Sequence, residues 1–111
     1  MIVVKSKIKI LYWTAHGKDK MRFYGISEQR VRRILHSPKR IEEGIAPQTI
    51  AVMQESGSKK KPFELWVMVE ETSSQRKIIS VWRYPGITKP KSEIALNFFK
   101  NEFSEYSEGK E

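Results

Sequence analysis

The feature that most narrows the fold is a change of hydrophobic period at Ser37-Pro38. Downstream of it, residues 40–43, 48–55, 63–71 and 76–84 are short runs rich in Ile, Val, Trp and Thr, the composition and length of β-strands. Residues 56–62 (Ser-Gly-Ser-Lys-Lys-Lys-Pro) and 72–75 (Thr-Ser-Ser-Gln) are polar turn segments, so the last three strands form an antiparallel meander, closed by Pro85-Gly86. Alternation gives its last hairpin two faces. Phe63, Leu65, Val67 and Val69, with Ile79 and Val81, form one dry face; Trp66, Met68, Ile78, Ser80, Trp82 and Tyr84 form the other. Either a helix covers this second face with Phe99 and Phe103, or part of it stays open as an aromatic platform for stacked bases.

Upstream of Pro38 the pattern is mixed. Residues 2–12 alternate, with Val4, Ile8, Ile10 and Tyr12 on one side and Lys5, Lys7 and Lys9 on the other, which predicts a strand with one buried and one cationic face. Thr14 is placed to cap a helix over 15–24 that stops at Gly25. Ser27 caps a second helix, with Glu28 in its first turn and Val31, Ile34 and Leu35 as its apolar stripe, and Ser37-Pro38 ends it. A last helix over 91–106 carries Ala95, Leu96, Phe99, Phe103 and Tyr106 on one face, and 107–111 form a polar tail. The expected fold is one α+β domain over 1–106: an N-terminal strand, two helices packed on a four-stranded antiparallel β-meander, and a closing helix, with the helices grouped on one face.

Charge narrows the function. The chain has 111 residues and a net charge of +8, but residues 1–40 hold 11 basic and 2 acidic side chains, so all of the excess lies there. Such asymmetry points to a polyanionic partner, nucleic acid or an anionic surface. With no cysteine there can be no disulfide, thiolate zinc site or Cys nucleophile, and two histidines without suitably spaced carboxylates suggest neither metal nor cofactor. The longest uncharged stretch, 44–54, contains Pro47, Gln48 and Thr49 and is too short and polar to span a bilayer. Lysines at 5, 7 and 9 interrupt any signal-peptide core, so a cytoplasmic location is expected.

Chemistry concentrates in residues 14–27. At helical spacing His16, Lys20 and Tyr24 share a face. An imidazole one turn from an ammonium pairs a candidate general base with a cation that can hold a phosphate, the minimum for cleaving RNA through internal attack of its 2′-hydroxyl. In that reading His16 is the base, Lys20, Arg22 and Arg83 stabilise the phosphate, and Trp82 or Tyr84 stacks a base. Lys5, Lys7, Lys9, Lys18, Arg30, Arg33 and Arg40 would hold the nucleic-acid backbone. The same residue types also make an ordinary amphipathic helix. Arg32 and Lys39 extend the basic cluster of the second helix, with His36 a bystander at its end. The run Lys59-Lys60-Lys61 reads as a solubilising loop, and Glu42-Glu43 and Glu70-Glu71 as solvated strand ends.

His16-Gly17-x-x-Lys20-Met21-x-x-Tyr24-Gly25-Ile26-Ser27, followed by Val31, Leu35, Pro38 and Glu43-Gly44, resembles the His-Ala-x-x-Arg-Met-x-x-Arg-Gly-Ile-Ser pattern of an uncharacterised family of small toxin-like domains. The resemblance covers about residues 12–84. That family is grouped with RelE/ParE-like and colicin-type ribonuclease folds, which implies two helices against a four-stranded antiparallel sheet and a metal-independent endoribonuclease of toxin–antitoxin type, acting on free or ribosome-associated RNA and neutralised by an acidic antitoxin. His16 and Gly25-Ile26-Ser27 match the pattern; Lys20 stands where it has Arg. Gly17 replaces its Ala and Tyr24 its second Arg, which removes a cation from the expected site. A non-catalytic RNA- or DNA-binding module and a protein-interaction domain are the alternatives.

Overall fold

The structure is a computed structural model that describes residues 9–109. Its elements are β1 (Ile10–Trp13), α1 (Ala15–Tyr24), α2 (Glu28–His36), β2 (Arg40–Glu43), β3 (Thr49–Gly57), β4 (Pro62–Glu71), β5 (Gln75–Tyr84) and α3 (Glu93–Gly109). Val4, Lys5, Lys7 and Ile8 lie outside the described residues.

The local signals act as their chemistry requires. Thr14 accepts from the Gly17 N–H at the start of α1, and Gly25 ends that helix in the left-handed region at φ +68°. Ser27 accepts from Arg30 N–H and caps α2. Gln48, expected to open the third strand, instead has φ +66° and belongs to the turn before Thr49.

The strands form one sheet in the order β1-β5-β4-β3-β2. Strands β2 to β5 are the expected antiparallel set, but β1 joins as a fifth strand, parallel to β5, with Ile10 opposite Gln75 and Trp13 opposite Ile78. The sheet is therefore mixed. A parallel partner needs a long return connection, and here two helices and three strands supply it. The inward face of β1 is also the reverse of the expected one: Leu11 and Trp13 pack on the core while Ile10 and Tyr12 are exposed. Lys9 shares the parity of the inward residues and pairs with Glu71 at 3.3 Å.

Two apolar cores lie on opposite faces of the sheet. In the first, Met21, Ile26, Val31 and Ile34 of the α1–α2 region pack on Val52, Leu65, Val67, Val69, Ile78 and Val81. In the second, Ala95 and Phe99 of α3 pack on Ala51, Met53, Trp66, Met68, Ile79 and Trp82. The helices are thus divided between two faces, because α3 covers the aromatic side. A β-bulge exchanges the expected places of Ile78 and Ile79: Met68 pairs with Ser80 and Val69 with Ile78, so Ile79 is the extra residue and turns towards α3.

Helix α1 follows the stretch of β5 that β1 leaves unpaired. At one end Thr14 donates through Oγ1 to the Ile78 carbonyl at 2.7 Å; at the other, Arg83 Nη2 donates to the Tyr24 carbonyl at 3.1 Å. A Cβ at Gly17 would stand 2.6 Å from the Ile78 oxygen, so only glycine lets the helix lie this close to the strand. Lying at a sheet edge, α1 can send Met21 to one core and His16 and Lys20 towards the helix on the other face.

Candidate functional site

Of the four expected catalytic residues, His16 and Lys20 come together and Arg22 and Arg83 do not join them. His16 and Lys20 project from α1 to meet α3, where His16 Nε2 lies 3.1 Å from Glu102 Oε1 and Lys20 Nζ lies 3.3 Å from Glu102 Oε2 and 3.5 Å from Glu105 Oε1. Ser80 donates its hydroxyl to the same Glu102 Oε1. Glu102 is only 4% exposed, so its charge is held by these three partners rather than by water. Burial by itself would lower the Lys20 pKa, but the charges of Glu102 and Glu105, with the hydrogen bond to Glu102, outweigh it, and the net shift is upward from the ordinary lysine value. His16, Glu102 and Glu105 offer three ligand atoms within 4.8 Å of one another, compact enough for one metal ion. The Lys20 ammonium already supplies a cation to both carboxylates.

Arg22 and Arg83 are elsewhere. Arg22 is exposed on the outer side of α1, paired with Asp19. Arg83 lies on the sheet face opposite Ser80, as the odd separation of the two residues along β5 requires, with its guanidinium 4.9 Å from the Phe63 ring centroid. The proposed stacking group Trp82 is buried, sandwiched between Trp66 and Phe98 at 5.8 Å from each. Tyr84 is half-buried with its ring edge-on to Phe98 at 6.0 Å. No open aromatic platform is left where α3 covers these rings.

Arg40 also leaves the expected binding set. It donates to Glu42 at 2.8 Å, to the Thr88 carbonyl at 2.7 Å and to Thr88 Oγ1 at 2.6 Å, and its guanidinium stands 5.1 Å from the Trp66 ring centroid. The fully buried Glu64 completes the network, accepting from Trp66 Nε1 at 2.9 Å and Thr88 N at 2.8 Å. Glu42, expected at a solvated strand end, is 6% exposed. Both anions share a structural role: they tie the segment after β5 to the sheet.

The remaining cations gather along α2. Three shallow cavities follow one another there, of about 260 Å³ (with Arg30, Arg33 and Arg83), about 490 Å³ (with Gln29, Arg32, Arg33 and His36) and about 480 Å³ (with Lys9, Arg32, His36 and Arg76). Arg33 lines the first two, and Arg32 and His36 the second and third, so they form one groove. No Asp or Glu lines any of them. Among the described residues Arg30, Arg32, Arg33 and Arg83 enter no ion pair, whereas Lys9 and Arg76 share Glu71. Lys18 is exposed on α1 and, with Arg22 and Glu28, lines a separate cavity of about 350 Å³ that shares Gly25, Ile26 and Ser27 with the first groove cavity. Sequence reasoning named Lys9, Arg30 and Arg33 and placed Arg32 in the same basic cluster, but it set Arg83 in a different group and missed His36 and Arg76 as groove residues and Glu102 altogether. For Glu102 a signal existed: it stands three residues after Phe99, on the apolar stripe of its helix, where an unpaired carboxylate would be costly. No helix is long and apolar enough to cross a membrane among the described residues. No protein-family model, curated protein or solved structure matches this chain.

Proposed function

We propose that this protein binds RNA, with the phosphate backbone following the groove along α2. The observation that carries this reading is the run of arginines without acidic partners in a groove that no carboxylate lines. A helix of nine residues is about 13 Å long and carries three of the four arginines that enter no ion pair among the described residues, enough for three or four phosphate contacts with Arg83 included. An acidic protein partner of the antitoxin kind would compete for the same groove.

Titration of a fluorescent single-stranded RNA at rising salt tests it. Three or four phosphate contacts predict a slope of log K against log salt of about −2 to −3, at ~0.7 per contact, and Arg33→Gln should lower that slope by about one contact. Affinity unchanged in an Arg32→Glu, Arg33→Glu double variant would remove the groove from the account.

Metal-independent endoribonuclease activity is a second reading, favoured by the pairing of His16 with a buried carboxylate beside an ammonium. In that reading His16 remains the base, Lys20 the phosphate stabiliser, and the end of α3 must move before RNA can replace Glu102 and Glu105. RNA cut in the presence of EDTA by the parent protein but not by His16→Ala would support it; cutting that persists in His16→Ala would exclude His16 as the base.

A further inference from the structure

The smallest of the three groove cavities, about 260 Å³, lies against the turn between α1 and α2. Gly25, Ile26 and Ser27 line it on that side, Phe63 and Leu65 give it apolar walls, and Arg30, Arg33, Arg83 and Ser56 are its polar lining. Arg83 is held in place by the Tyr24 carbonyl and the Phe63 ring. Arg30 is different: its Nε is buried and has no hydrogen-bond partner. Burial, and then the charge of Arg33, push the Arg30 pKa below the ordinary arginine value. A buried donor without a partner calls for an acceptor, and three arginines lining one cavity favour an acceptor that is negatively charged.

We propose that this cavity is a pocket for a phosphomonoester, the phosphorylated end of an RNA strand or of a nucleotide. The proposal rests on the RNA-binding reading and narrows it from backbone to strand end. A terminal phosphate carries about −1.5 to −2 charge and three acceptor oxygens, against one charge for a backbone diester, and so suits three arginines better.

The test is fluorescence anisotropy with one RNA octamer in three forms: 5′-phosphorylated, 3′-phosphorylated and hydroxyl at both ends. One phosphorylated form should bind at least about tenfold more tightly than the hydroxyl form. Arg30→Met, which keeps the packing of the stem, should erase that preference, so that all three RNAs bind alike, with an affinity at or below that of the parent for the hydroxyl form. Arg32→Gln, outside the pocket, should weaken all three RNAs alike. Equal binding of the three RNAs by the parent protein overturns the pocket and leaves the groove standing; so does a preference that survives Arg30→Met. Calorimetry with adenosine 5′-monophosphate and adenosine separates the sources. If no RNA binds but the monophosphate does, and Arg30→Met abolishes it, the pocket stands and the RNA reading falls; if neither binds, both fall.

Discussion

A methyl group at position 17 would have to displace the backbone of β5, because the Ile78 oxygen stands 2.6 Å from where it would sit. Alanine is the better helix former by about 1 kcal/mol, so propensity alone makes Gly17→Ala stabilising. The packing term has the opposite sign and is larger, and urea denaturation should show a net loss of about 1–3 kcal/mol. Position 17 is thus one where the approach of α1 to the strand leaves no room for Ala. Lys20 makes a second test at this scale. Its folded pKa is raised, so its contribution is complete below the unfolded lysine value near 10.5 and is lost as pH rises through the higher folded value. The parent should exceed Lys20→Met by about 2 kcal/mol at pH 8, and denaturant titrations should show the gap closing only above pH ~10.5. The caps at Thr14, Gly25 and Ser27 were readable in the sequence because each acts within three residues of itself. Glu102 acts on His16, 86 residues away, and its partners could not be read from local pattern.

Among the elements, α3 is held by two kinds of contact. Phe99 packs against Trp66 and Trp82 at 5.3 and 5.9 Å, and Glu102 and Glu105 meet the cations of α1. The two carboxylates should contribute unequally. Glu102→Ala strands buried Ser80 and half-buried His16 and should cost about 2–4 kcal/mol, whereas Glu105 is half-exposed and its removal should cost under about 1 kcal/mol by the same urea measurement. Element type and order were legible because each stretch keeps one period over several residues, and α3 and β2 to β5 lie within three residues of their expected bounds. Facing was less legible. Ile10 and Tyr12 are as apolar as Leu11 and Trp13, so alternation fixed two sides of β1 without saying which turns inward. On β5 a single extra residue at the bulge reversed the parity of Ile78 and Ile79, and nothing in a run of two isoleucines marks it.

At the scale of the whole molecule, charge was readable as an amount and its use was not. The first 40 residues carry the excess, yet the structure divides it: Lys20 and Arg40 are consumed in holding α3 and the segment after β5, Lys9 shares Glu71, and among the described residues Arg30, Arg32 and Arg33 of α2 enter no ion pair. The groove also depends on Arg83, which comes from the near-neutral part of the chain. The parallel pairing of β1 has one further consequence, in the order of events along the folding path. Strands β3, β4 and β5 are joined by short turns, so their ladder closes small loops, whereas Thr14 reaches Ile78 across 64 residues of chain. The meander should therefore form first, and the start of the chain, although made first, should dock late. Native-state hydrogen exchange should find the amides of β1 and the first turn of α1 opening together at a lower free energy than those of β4, and residues that wait longest for their partners should be the first to leave them.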